Sequence, residues 1–210
     1  MPLRSLALPV LAALLLAACG QQASAPATDS SAPLPAASIT GDPAQTVLQA
    51  SQRFAALRSF HAQMTLHGAQ KGQVVSMSMD FVAPDRYRLQ GTGGTQTIIG
   101  NTIFLKSEGR MQQQPLPAGL LDQWRTPLPL AAELHGLAVE DRGPADVGGT
   151  ATRLYRVDGP QGSGETLQYW IGNDGLPRQV QRDGFNGDQP YRITLRYSRL
   201  NDPDLQIAMP

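Results

Sequence analysis

Cysteine is all but missing: Cys19 is the only one among 210 residues, so no disulfide can form within the chain. Charge is thin, with Asp, Glu, Lys and Arg at 16% of residues and a formal balance of zero. Lysine is reduced to Lys71 and Lys106, and no basic run occurs. The clustered cations that bind phosphate backbones are therefore lacking, and no nucleic-acid partner is expected. Apolar runs are short, and none approaches the roughly 20 residues that span a bilayer as a helix. Histidine is confined to His61, His67 and His135. His61 and His67 share one face of an alternating segment but lie about 20 Å apart on an extended chain, too far to hold one metal. With no paired cysteines, a zinc site would have to rely on distant carboxylates. No G-x-S-x-G elbow is present, and Gly91, Gly93 and Gly94 are not followed by the helical pattern that a dinucleotide fingerprint requires. No cofactor, metal site or enzymatic activity is expected.

What is present begins at the N-terminus. Arg4 supplies a positive charge, Leu6 to Leu16 is apolar apart from Pro9, and small residues follow. This is the layout of a secretory signal peptide over residues 1–18. Leu16-Ala17-Ala18-Cys19 matches the lipobox, in which small residues fit the signal peptidase and the cysteine accepts lipid. Cys19 is thus the expected lipid-attachment residue, carrying diacylglycerol and palmitate-type chains. Each buried methylene contributes about 0.8 kcal/mol, so two or three acyl chains hold the protein at a membrane on cellular timescales. In Gram-negative lipoproteins the next residue influences sorting, and an aspartate there commonly retains the protein at the inner membrane. The residue here is Gly20, which implies the outer membrane, facing the periplasm, if the source is Gram-negative.

Residues 19–41 are rich in Gln, Ala, Ser, Thr and Pro, a composition unable to bury enough apolar surface to order itself, and read as a tether. Residues 42–210 are expected to form a single domain. Asp42, Pro43 and Gln45 make a helix start of the capping-box kind. Val47, Ala50, Phe54 and Leu57 form its apolar stripe, and its end is expected near Arg58 to Phe60.

The period then falls to two, the mark of strands with one buried face. Phe60, Ala62, Met64 and Leu66 alternate with polar residues, as do Val75, Met77, Met79 and Phe81, and then Tyr87 and Leu89. Gly100-Asn101 reads as the hairpin turn between 97–99 and 103–105. Pro115, Pro117, Pro127 and Pro129 mark a proline-rich segment with Leu120-Leu121, Trp124 and a short helix over Leu130–Leu137. Prolines exclude a central strand, so this segment is expected to lie over the sheet as a lid. Strands resume at 151–158, 166–171, 176–182 and 191–198, with Asn173-Asp174-Gly175 as a turn. The fold class is therefore mainly β with α: a curved antiparallel incomplete β-barrel, covered by the N-terminal helix and the proline-rich lid.

Several segments in order carry a resemblance. They are the lipobox, Ala56-Leu57-Arg58-Ser59-Phe60, Phe81 to Arg88, Ile98 to Lys106, Tyr169 to Pro177, and Tyr197 to Pro203. The chain resembles the LolA/LolB-like superfamily of bacterial lipoproteins and lipoprotein-localisation factors, with its mycobacterial lipid-binding relatives. The resemblance implies an incomplete barrel plugged by helices, with an apolar hollow that binds an acyl chain of a lipid or lipoprotein. It also implies the partners: a membrane reached through the anchor, and the acyl chain as ligand. The expected lining is Met64, Leu66, Val75, Met77, Met79, Phe81, Tyr87, Leu89, Tyr169, Ile171, Ile193 and Leu195. Methionine suits changing contents because its thioether chain is unbranched and adaptable, although core filling is its commoner use. Leu120-Leu121 is the candidate for a protruding apolar loop, with packing beneath the lid as the competing role. A lipid anchor does not fit a free shuttle. Two functions remain: an acceptor or carrier of lipid or lipoprotein in outer-membrane transport, and a non-transporting sensor or interaction module with an envelope protein as partner.

Overall fold

A computed structural model of the chain describes residues 41–68, 74–107, 110–117, 134, 136–159 and 163–210. The signal peptide, Cys19, Gly20 and the tether to residue 40 lie outside the described residues. So do Leu120-Leu121, Trp124, His135 and, apart from Leu134, Gly136 and Leu137, the expected helix of the lid.

Helix α1 spans Pro43–Ala55. Asp42 caps it, with Oδ1 accepting from the Ala44 amide at 3.0 Å, and Pro43 occupies the first position, where a missing N–H costs nothing. Arg53 places a cation in the last turn, where it complements the helix dipole. Val47, Ala50 and Phe54 are buried on one stripe. The helix stops short of the expected Arg58 to Phe60 because Ser59 already pairs with Val82 in the sheet. Leu57 is buried all the same, beyond the helix end.

Eleven strands follow: β1 (Ser59–Gly68), β2 (Val74–Val82), β3 (Arg86–Gly91), β4 (Gly94–Ile99), β5 (Thr102–Ser107), β6 (Arg110–Pro115), β7 (Val139–Val147), β8 (Thr150–Asp158), β9 (Thr166–Gly172), β10 (Pro177–Asn186) and β11 (Gln189–Ser198). They form one antiparallel sheet in the order β6-β5-β4-β3-β2-β1-β11-β10-β9-β8-β7. The chain thus makes two meanders, joined side by side through β1 and β11. The sheet curves without closing, so β6 and β7 are its two edges.

Both edges are additions to the strands expected from alternation. Every residue of β6 is exposed, so it has no buried alternate to betray it. Pro115 ends β6 and Pro144 lies within β7, both positions that an edge tolerates because no ladder partner needs the missing N–H. The proline-rich connection therefore begins after β6, and it links one edge of the sheet to the other.

The core lies between α1 and one face of the sheet, where Val47, Ala50 and Phe54 meet Phe60, Phe81, Tyr87, Ile98, Tyr155, Val157 and Tyr169. Fully burying side chains of this size contributes about 1.5–3 kcal/mol each. Leu134, from the connection between β6 and β7, is buried in the same cluster, with Leu137 packed against it. Among the described residues, no helix is long and apolar enough to cross a membrane.

The opposite face is polar. His61 Nδ1 meets Asp80 Oδ1 at 2.7 Å, Arg196 Nε donates to Gln179 Oε1 at 2.9 Å, and Arg192 pairs with Asp183 at 2.6 Å. Arg86 and Arg88 donate to the carbonyls of Ile207 and Gln206 at 2.8 and 2.9 Å. They hold a C-terminal segment whose Leu205 and Ile207 are buried apart from the main core cluster.

Candidate functional site

Registry across the ladders turns the helix-covered face into rows of side chains. The first row runs Phe60, Phe81, Tyr87, Ile98, Ile103. The second runs Tyr197, Ala62, Met79, Leu89. The third runs Tyr155, Tyr169, Val180, Leu195, Met64, Met77. The fourth runs Val157, Leu167, Arg182, Ile193, Leu66, Val75. All the strand residues expected to line a hollow therefore share this face, Ile171 included, since it lies two residues along β9 from Tyr169.

They do not share one environment. Met79, Phe81, Tyr87, Leu89, Tyr169 and Ile171 are buried in the core cluster beside the helix. Met77 and Leu195 are half-buried and packed against it. Met64, Leu66, Val75 and Ile193 are half-buried and stand outside the cluster. The face thus has a filled end next to the C-terminal half of α1 and an apolar end toward the β1–β2 and β10–β11 hairpins. Arg182 belongs to that second end, and its Nη2 donates to Glu165 Oε1 at 2.7 Å, a pairing that raises the guanidinium's already high pKa.

The filled end is aromatic. Phe54 stacks at ring-centroid distances of 4.9 Å from Phe60 and 4.8 Å from Tyr197, and Phe81 lies 5.1 Å from Phe60 and 5.0 Å from Tyr87. Tilted and edge-on pairs of this kind add roughly 0.5–1.5 kcal/mol beyond area burial. Beside them a pocket of about 290 Å³ is lined by Phe54, Ala55, Leu57, Phe60, Phe81, Ala83, Pro84 and Tyr87. This pocket combines helix and strand residues from separate segments, so alternation within any one strand does not reveal it.

Two tyrosine hydroxyls lie within this face under different conditions. Burial raises the pKa of Tyr155, while a hydrogen bond from the Thr46 side chain acts in the opposite direction. Burial raises that of Tyr197, with Tyr169 adding to the effect, and the Tyr197 hydroxyl has no hydrogen-bond partner among the described residues. Both groups remain neutral at any physiological pH. Among the described residues, no three His, Cys, Asp or Glu side chains converge as metal ligands.

The arrangement presents apolar surface on one face of the sheet. No protein-family model matches the chain, and no curated protein matches it by sequence. Solved structures do match. Lipoprotein LppX of Mycobacterium tuberculosis superposes with a TM-score of 0.57 at 15% identity, over 78% of this chain and 98% of that one. LprF of Mycobacterium bovis superposes with a TM-score of 0.52 at 16% identity, over 80% of this chain and 95% of that one. At such identities the likeness concerns the fold. The chain has the incomplete-barrel fold of these mycobacterial proteins, the fold that the resemblance to the LolA/LolB-like superfamily implied.

Proposed function

We propose that this chain is a lipid-anchored envelope protein that holds an acyl chain of a lipid or lipoprotein in the hollow of its sheet. One observation carries the reading. Two of the rows that fill the core beside α1 continue on the same face as Met64, Leu66, Val75 and Ile193, which stand outside the core cluster, with the ion-paired Arg182 among them. Apolar surface that faces the hollow without joining the packed core is what a hydrocarbon guest requires, because binding removes that surface from water at about 25 cal/mol per Å². The Leu16-Ala17-Ala18-Cys19 motif supplies the membrane address, and Gly20 directs it to the outer membrane of a Gram-negative cell. The role is binding and transfer rather than catalysis.

A second reading, a docking module for an envelope protein, draws on Phe185 and Val74, which are 56% and 53% exposed near the hairpin end of the sheet. Native mass spectrometry of the full mature chain, purified from membranes, separates the two. The acyl-binding reading expects a non-covalent adduct of lipid mass and saturable binding of a fluorescent fatty acid. A chain that carries no adduct and never binds the probe belongs to the docking reading.

A further inference from the structure

We infer that a slot beside Gly91 takes the methyl end of the bound acyl chain, and that Gly91 keeps the slot open by lacking a side chain. The inference rests on the acyl-binding reading and specifies where on the face the tail of the guest ends. Register extends the third row by one place: Ser78 pairs with Gln90, so Met77 stands opposite Gly91. The row that runs Val180, Leu195, Met64, Met77 thus has no side chain at its next position, at the end of the face that holds Met64 and Val75. A Cβ on Gly91 would lie 4.0 Å from Met77 Cβ and 3.8 Å from Met77 Cγ, so the missing side chain would run beside the apolar wall. In its place is a space of about 180 Å³, lined by Val75, Met77 and Leu89 together with Ser76, Gln96 and residues 91–94 of the β3–β4 turn. Val75 stands outside the core cluster and Met77 is packed against it, so the slot adjoins the open end of the face.

The backbone does not require glycine at this position. Gly94, its partner across the turn, has φ +102, whereas the φ of Gly91 lies outside the left-handed region. Glycine weakens a strand, and where no bend or bulge needs it, it marks the close approach of another backbone or of a ligand. Among the described residues beyond its neighbours in the chain, the nearest main-chain atom is the Ser76 carbonyl oxygen, 3.9 Å from that Cβ, which is ordinary contact. A ligand remains. An apolar cavity of roughly 150 Å³ holds one benzene ring, so this slot suits about six carbons, the end of an acyl chain rather than the whole of it. None of its lining residues is charged. A carboxylate or phosphate head would be desolvated there with no cation to meet it, whereas a hydrocarbon tail needs none.

The test uses the full mature chain from residue 19, produced with Cys19→Ser so that no anchor of its own competes. Tetradecanoic acid, and tetradecanedioic acid with a carboxylate at both ends, are titrated calorimetrically into this parent protein and into its Gly91→Leu variant. Thermal unfolding is recorded without ligand. Expected is a loss of about tenfold in affinity for the monoacid, since each buried methylene is worth about fourfold and leucine displaces about two. The diacid has no methyl end to place in the slot and should bind both proteins equally weakly. The variant should unfold no earlier than its parent, because its side chain enters open space on a backbone that any residue adopts. Equal affinity of both proteins for the monoacid overturns the inference and leaves the acyl-binding reading standing. An equal loss for both acids overturns the assignment of the methyl end, because the slot then lies under the middle of the chain. Gly91→Cys covers the case in which leucine unsettles the fold, since it gives the Cys19→Ser chain its only thiol. Bound tetradecanoic acid should slow alkylation of that thiol by a maleimide several-fold, and an unchanged rate overturns the inference. Failure of the parent protein to bind tetradecanoic acid overturns both readings.

Discussion

Arg53, in the last turn of α1, donates from Nη1 to the main-chain carbonyl of Asp174 at 2.6 Å and so fastens the helix to the turn between β9 and β10. Gly175, the next residue, has φ +74, and a side chain on it would strike Arg53. Helix cover and sheet meet at this contact.

Gly175→Ala is therefore expected to destabilise the domain by about 1–2 kcal/mol, from the left-handed backbone and the displaced guanidinium together. In a domain of this size that lowers the melting temperature by roughly 2–8 °C. Arg53→Ala should cost less, because the contact is exposed. The double variant should fall short of the sum, since the collision disappears with the arginine. Strict additivity in thermal unfolding would show that the two residues do not interact.

The two ends of the hollow face predict opposite responses to a charge. Met79→Arg buries an unpaired cation in the packed end and should cost about 3–5 kcal/mol, read as a large fall in melting temperature. At Met64, half-buried outside the core cluster, an arginine can lay its stem along the wall and keep its head wet. Met64→Arg should remain folded by circular dichroism and lose fatty-acid binding. An unfolded Met64→Arg would mean that both ends of the face are packed.

Cys19→Ser should abolish metabolic labelling by radioactive palmitate in cells that lipidate the wild type. Persistent labelling would place the lipid elsewhere and remove the basis of the anchor.

Gly20→Asp should shift the protein from outer- to inner-membrane fractions of a density gradient in a Gram-negative host. The same distribution for both proteins would show that residue 20 carries no sorting information in this chain.

Asp202 adds a pH dependence. The Arg199 side chain, 2.6 Å from its carboxylate, and the Asp204 amide hold its pKa below the usual carboxylate range. A carboxylate lowered in this way stabilises the fold above its unfolded pKa of about 4, and the contribution disappears as pH falls through the folded value. Asp202→Asn should then melt below wild type at pH 7 and converge with it near pH 2. A gap that persists at that pH would mean that the aspartate acts through packing rather than charge.

Much of this architecture was legible in the sequence, and the exceptions share a cause. Alternation located the strands with one buried face, and the register confirms that Met64, Met77 and Leu195 point the same way. Edge strands have no such contrast: Arg110-Met111-Gln112-Gln113-Gln114-Pro115 is exposed throughout and has no twofold pattern to read. Leu205 and Ile207 are buried by a chain segment that passes over the polar face of the sheet, a contact set by arginine hydrogen bonds from β3 rather than by local periodicity. Alternation also could not divide the hollow face into packed and open ends, because that division depends on where a thirteen-residue helix lies across it. The Tyr197 hydroxyl, buried without a partner among the described residues, was equally hidden, since a strand pattern records which side a tyrosine faces and not what meets its oxygen.

Every described ladder joins strands consecutive in the chain except that of β1 with β11. β11 is thus the strand that unites the two halves of the sheet, and until residues 189–198 are available β1 keeps an unmated side. Pairings between distant segments form slowly because the loop between them must be closed first. A chain threaded N-terminus first through a translocation channel would remain architecturally unfinished until residues 189–198 had passed. Strand order alone would then postpone completion to the far side of the membrane.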